Sequence, residues 1–280
     1  MTRRRELERH RASLAEIGEI MGSMRTLAYL ETRKLTRFMA AQQAVVDSIE
    51  TVAADFLSFH PDTLSEDAGL KTVYLLFGSE RGFCGDFNRV LVAQFDAATH
   101  DRADCLIATG HKLHLLLERH PAKPLLLDGP SVAEDVPVVL QAIVEALDGV
   151  RARLGAFRLV CMFQSAQGVQ SERLLPPFTA HRKTPMPLTE PPLLNVDPHS
   201  FLLDLTEHYL LAALNRILYA SLLLENQQRM AHLDGAVRHV DDATLDLARR
   251  CRSLRQEEIV EEIEVILLSA ASLDPAERSA

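Results

Sequence analysis

Two long stretches without proline bracket this chain: no proline precedes Pro61, and none falls between Pro198 and Pro275. Proline breaks a helix interior because it lacks the amide donor and its ring collides with the preceding turn. Each bracket is therefore free to run as one helix. At about 1.5 Å per residue, the C-terminal one would reach roughly 110 Å if continuous. Ordinary globular helices are several times shorter. A chain whose two ends join into one rod, with a compact domain inserted between them, is built to reach a distant partner.

Periodicity says how the rod is held. In the first stretch the seam runs Leu7, His10, Leu14, Ile17, Met21, Met24, Ala28, Glu31, Leu35, Phe38, Gln42, Val45, Ile49, Val52 and Phe56. It is apolar except at His10, Glu31 and Gln42. A seven-residue repeat sustained over this length predicts a left-handed coiled coil. Gly18 and Gly22 each cost about 1 kcal/mol of helix propensity relative to alanine, and close approach of another backbone would account for them. The C-terminal stretch carries a matching seam of Leu233, Val237, Val240, Thr244, Leu247, Cys251 and Leu254. It then slips by one position to Ile259, Ile263, Ile266, Ala270 and Leu273. Beyond the slip, Ile263-Glu264-Val265-Ile266-Leu267-Leu268 is apolar on most sides, the pattern of a helix end that is enclosed. Periodicity alone also admits a helical-bundle core, or seams that pair with a second copy.

From Lys71 to about Val196 the pattern changes. Short apolar runs at 72–77, 105–108, 124–127 and 157–163 read as buried strands, and 86–98 and 138–154 as helices, with Asp86 a plausible N-cap. Strands alternating with helices predict a mainly parallel sheet covered on both faces. The turn Ser79-Glu80-Arg81-Gly82-Phe83-Cys84-Gly85-Asp86 sits where a phosphate loop would sit. It lacks both the dinucleotide and the P-loop spacing. Glu80 and Asp86 flank it and would repel an anion, so its glycines read as turn punctuation. His111 and His114 share a helical face without a third ligand in place, and Ser79 and Cys84 have no identifiable base partner. The proline-rich stretch from Pro176 to Pro198 reads as a linker.

Composition narrows the class. The formal charge of -9 over 280 residues argues against a nucleic-acid binder. Arg3, Arg4, Arg5, Arg9 and Arg11 make the N-terminus basic, but Glu6, Glu8, Glu16 and Glu19 interrupt any apolar region of a signal peptide, so export by that route is not expected. No apolar run is long enough to span a bilayer, so membrane association is expected to be indirect, through a partner. Cys84, Cys105, Cys161 and Cys251 are scattered without metal-ligand spacing and read as buried free thiols.

Three segments, in order along the chain, carry a resemblance. Ser79-Glu80-Arg81-Gly82-Phe83-Cys84-Gly85-Asp86-Phe87-Asn88 resembles Ser-Asp-Arg-Gly-Leu-Cys-Gly-Gly-Leu-Asn. Glu225-Asn226-Gln227-Gln228-Arg229-Met230 resembles Ser-Glu-x-x-x-Arg-Met. Arg255-Gln256-Glu257-Glu258-Ile259-Val260-Glu261-Glu262-Ile263 resembles Arg-Gln-x-x-Ile-Thr-x-Glu-Ile/Leu. Together they look like the γ subunit of F-type ATP synthases, over the whole chain. Departures mark a divergent member, with an alternative F-type ATPase as one setting. Glu19-Ile20-Met21-Gly22-Ser23-Met24 lacks both lysines of Lys-Ile-Thr-Lys-Ala-Met. Val260 stands for a threonine, Val265 for an acidic residue and Ser269 for a glycine.

The resemblance implies a fold class of α/β plus coiled coil: long N- and C-terminal helices in an antiparallel coiled coil, with an inserted Rossmann-like α/β domain. Its expected divisions are 1–60, 70–197 and 199–274, with a tail at 275–280. It implies a central-stalk rotor coupling ion flow through the membrane sector to ATP synthesis or hydrolysis at a ring of α and β subunits. Such a rotor is not itself an enzyme and holds no cofactor or metal, catalysis lying on β. Implied partners are α, β, ε and the c-ring. The implied location is peripheral, on the cytoplasmic face of the bacterial inner membrane. Carried over by resemblance, the ring-coupling residues are Arg255, Gln256, Glu262, Met24, Arg229 and Met230, and the rotor tip is Ile259, Ile263, Ile266 and Leu273. From the residues alone, two other readings stay open: a homodimeric coiled-coil tether, and an α/β nucleotide-binding enzyme with helical extensions.

Overall fold

A computed structural model describes residues 2–64, 69–99, 104–179 and 193–273. The tail at 275–280 and most of the proline-rich linker lie outside the described residues. The elements are α1 (Thr2–Phe59), β1 (Lys71–Phe77), α2 (Phe87–Thr99), β2 (Cys105–Thr109), α3 (His111–Leu117), β3 (Leu125–Leu127), α4 (Val136–Leu154), β4 (Phe157–Ser165), β5 (Gly168–Leu175) and α5 (Pro198–Leu273). The chain divides into two compact units, Met1–Leu27 with Ala231–Ala280, and Ala28–Met230.

In the first unit, α1 and α5 run antiparallel. Arg4 Nε donates to Glu258 at 2.9 Å and Arg25 Nη1 to Asp234 at 2.8 Å. A Cβ added at Gly18 would stand 3.3 Å from Val240 Cγ1, so this glycine marks a close approach; one added at Gly22 would meet open space. The α5 seam from Leu233 to Leu254 is buried or half-buried throughout, as its heptad spacing requires. The expected slip to Ile259 does not occur: Ile259 is 46% exposed, and the same phase continues to half-buried Glu258. A glutamate can hold a seam position when its stem packs and its head is paired, here with Arg4.

The second unit is a five-stranded sheet in the order β3-β2-β1-β4-β5, parallel except for β5. Alternation along β1 sends Val73, Leu75 and Phe77 to one face and Leu76 to the other. α4, with buried Val136, Val139, Ile143, Leu147 and Val150 on one stripe, covers the first face together with the α1 and α5 segments of this unit. α2 and α3 cover the second face through Leu91, Phe95, Leu113 and Leu117. Each such fully buried side chain contributes roughly 1.5–3 kcal/mol.

The α1 seam is corrected by one residue in alternate positions. Val46 is 2% exposed whereas the expected Val45 is 48% exposed, and Ala53 is buried in place of Val52. Positions i+3 and i+4 flank the same stripe, so the packing partner decides between them. Here Val46, Ala53 and Leu57 enter the core shared with β1, α4 and α5.

Candidate coupling surfaces

Open parallel sheets take ligands at the carboxyl ends of their strands, and in this domain that edge is filled by the chain itself. The Glu80 carboxylate, just past β1, accepts the His111 amide at 2.9 Å and the Gly129 amide at 2.8 Å through Oε2. Those amides follow β2 and β3, so one carboxylate ties three loops. Glu80 therefore does more than repel an anion from this turn, because its own carboxylate is the anion those amides hold. The close packing needs glycine: a Cβ on Gly110, where φ is +103°, would come within 2.7 Å of Gly78 O. Asn88 completes the turn, accepting Ser79 N at 2.9 Å and donating to Ser79 Oγ at 2.8 Å. His111 and His114 are neighbours, with ring centroids 6.3 Å apart.

α5 closes the same edge from the other side. Ser221, Glu225 and Arg229 lie four residues apart on one helical face and are all buried. Ser221 Oγ donates to Phe77 O at 3.4 Å, and Glu225 Oε1 accepts Arg81 N at 3.4 Å. Arg229 Nε donates to Gly82 O at 3.0 Å, Nη1 to Asn226 Oδ1 at 2.8 Å, and Nη2 to Cys84 Sγ at 3.4 Å and to the Glu225 carboxylate. Burial pushes the Glu225 carboxyl up, and the Arg229 guanidinium opposes that shift. Burial and the neighbouring Glu225 push the Cys84 thiol up to about 11, so it remains a thiol at neutral pH. The space left here, bordered by Phe77, Gly78, Thr109, Ser221 and Glu225, is a cavity of about 10 Å³. That is room for about one water, far below the roughly 300–1,000 Å³ of a ligand pocket. A larger cavity of about 540 Å³ borders Phe157 at the opposite end of β4.

The end of α5 is the contrasting surface. Residues 259–269 are all exposed, and Val260, Val265, Ile266, Leu267 and Leu268 each expose more than half of their surface, Leu268 reaching 71%. Of the residues carried over by resemblance, Ile259, Glu262, Ile263 and Ile266 stand on this exposed length, and Arg255 and Gln256 are exposed just before it, ahead of half-buried Glu258. The side chain of Leu273, the last helical residue, lies outside the described residues. Met24 is half-buried on the α1 seam. Arg229 is 4% exposed and committed within the second unit, with half-buried Met230 beside it. The roles of Glu80, Ser221 and Glu225 were missed in the sequence. The four-residue spacing of Glu225 and Arg229, which suits an intrahelical ion pair, was the one available signal.

A two-helix antiparallel seam from the ends of the chain, and a Rossmann-like α/β domain with a self-filled crevice from its middle, define the fold class as coiled coil plus α/β. The family model described as ATP synthase matches residues 3–273. The ATP synthase gamma chain of Clostridium beijerinckii is 25% identical over 279 residues, covering 95% of this chain and 97% of that one. The gamma chain of Clostridium perfringens is 23% identical over 274 residues, covering 94% and 95%. Among solved structures, a chain of the Euglena gracilis mitochondrial ATP synthase (OSCP/F1/c-ring) matches with TM-score 0.66 at 13% identity, over 100% of this chain and 97% of that one. A chain of the Tetrahymena thermophila mitochondrial ATP synthase (central stalk/c-ring) matches with TM-score 0.56 at 16% identity, over 78% and 99%. This chain belongs to the ATP synthase gamma-chain family, the central-stalk rotor subunit of the F-type enzyme.

Proposed function

We propose that the chain works as a rotor by inserting the exposed end of α5 into a ring of α and β subunits, while its α/β domain forms a foot on ε and the c-ring. The observation that carries this reading is the apolar end of α5. About two and a half turns of soluble helix cannot leave Val260, Ile263, Val265, Ile266, Leu267 and Leu268 in water without a partner surface to cover them. An apolar sleeve also suits rotation, since it offers few directional bonds to break at each step.

Coupling then follows from asymmetry. A rotor that presents a different face to each β subunit gives each a different contact energy, and only such differential contacts shift a conformational equilibrium. On this reading Arg255, Gln256 and Glu262 are the polar contacts with the ring, and Met24 supports them from the seam. Nucleotide and Mg²⁺ chemistry belongs to β, consistent with a sheet edge here filled by Glu80 and α5 side chains. The functional parts would be the helix 1–60, the α/β domain 70–197 and the helix 199–274, with 275–280 as a tail. Among the described residues no helix is long and apolar enough to cross a membrane, so we place the chain on the membrane through the complex, in a bacterial cell.

The test is a tagged pull-down from detergent-solubilised membranes of the native host, with subunits counted by mass spectrometry. Recovery of α and β at about three copies each per chain, with ATPase activity, is the expected result. Recovery of the chain alone or as a self-dimer overturns the rotor reading.

A further inference from the structure

The row Ser221, Glu225 and Arg229 gives α5 oriented bonds at one edge of the sheet, beside the pair that Arg216 makes with Glu172 of β5. Apolar burial is non-directional: it resists separation of surfaces but not strongly their sliding. Hydrogen bonds fall off steeply with angle and distance. The row places such bonds, shielded from water, between one face of α5 and the end of β1 at Phe77 and the turn 79–86 that follows it. That turn is in turn fixed to β2, β3 and α2 through Glu80 and Asn88. A load applied to the sheet edge therefore enters α5 through oriented bonds, at a place ending one residue short of Met230, where this compact unit ends.

We infer that this row transmits torque between the α/β domain and α5, with Glu225 and Arg229 as positioning residues for coupling. The inference rests on the rotor reading above. It reassigns Arg229, which the resemblance placed against the ring, to a task inside the chain. A well-packed apolar pair of similar volume often holds a fold as well as a buried ion pair, so the distinctive contribution of Glu225 and Arg229 is direction.

That equivalence supplies the test. The double variant Glu225→Met with Arg229→Met keeps the space filled and leaves no unpaired buried charge. The complex is assembled in inverted membrane vesicles of the native host. ATP hydrolysis and the membrane potential it generates, read with a voltage-sensitive dye, are measured together, so the identity of the pumped ion does not matter. The expected result is normal subunit stoichiometry and hydrolysis, with the potential generated per ATP falling by roughly half or more. Lys34→Met, which removes the exposed pair with Glu134 on the same unit, leaves that ratio unchanged. A purely structural role would lower hydrolysis and potential together, so an unchanged ratio in the double variant overturns the inference. If the double variant does not assemble, Arg229→Lys decides, because lysine keeps the charge but loses the forked donors; a wild-type ratio there also overturns it. Failure of the wild-type chain to recover α and β would instead remove the rotor reading itself.

Discussion

The two compact units use the same two helices and hold them in different ways. In Met1–Leu27 with Ala231–Ala280, helix faces helix along a narrow seam, and the cross-helix ion pairs of Arg4 with Glu258 and of Arg25 with Asp234 are partly exposed. In Ala28–Met230 the helices meet a sheet, and Leu214, Ile217 and Leu222 are essentially without exposure while Glu225 and Arg229 pair in the interior. Surface ion pairs contribute at most about 1 kcal/mol, so the first unit depends on its seam. The second unit carries its own core. The lesson is that one helix can be a structural strut over part of its length and an interaction surface over the rest, according to what faces it.

The largest effect that would sharpen this contrast is Arg229→Met alone. It leaves the Glu225 charge buried without its partner and is expected to cost about 3–5 kcal/mol, read as a lowered urea midpoint. Next, Leu214→Ala in the second unit should cost about 2–5 kcal/mol. Leu247→Ala, half-buried on the seam, should cost clearly less, about 1 kcal/mol. If the seam substitution proved the costlier, the contrast between the units would break.

Ile263→Asp with Ile266→Asp, by contrast, should leave the urea midpoint of the isolated chain within about 0.5 kcal/mol. Co-recovery of α and β should nevertheless fall by roughly tenfold. Loss of stability without loss of assembly would mean that this end is structural. Arg255→Ala with Gln256→Ala should lower coupled ATPase activity and leave the fold intact; unchanged turnover in an assembled complex would remove those two residues from the coupling set.

The smallest effect is a pH dependence. Hydrogen bonds from Arg238 and Arg25 hold Asp234 below its ordinary range, and one from Lys34 does the same for Glu134. Because both folded-state values are depressed, their contribution is present above about pH 4 and fades as pH falls through the carboxylate range. Asp234→Asn should flatten the acid-side decline of Tm, and an unaltered profile would show that these exposed pairs contribute nothing measurable.

Much of the fold was legible. Apolar runs marked β1 to β4, and the stripes of α2 and α4 gave those helices to within a few residues. β5 was not legible, because an edge strand reading Gly-Val-Gln-Ser-Glu-Arg lacks an apolar run; its Glu172 is paired with Arg216 of α5 at 2.6 Å, which no local pattern announces. The exposed apolar end of α5 was legible, since the run from Ile263 to Leu268, broken only by Glu264 and apolar on most sides, needs no partner to be recognised. The sheet-edge clasp was not, because Glu80 reaches amides 31 and 49 residues away.

By itself, then, the sequence determined the two proline-free helices, the α/β middle between them, the apolar end and, through three segments in register, the family. Those are consequences of local propensity and of periodicity, which act over a few turns. Only the tertiary structure decided the phase of the α1 seam, the absence of the slip at Ile259, the inward use of Arg229 and the carboxylate that fills the crevice. Each of these depends on which surface meets which, and an i+3 or i+4 choice, or the partner of a buried charge, is settled by the facing element rather than by the residues alongside it.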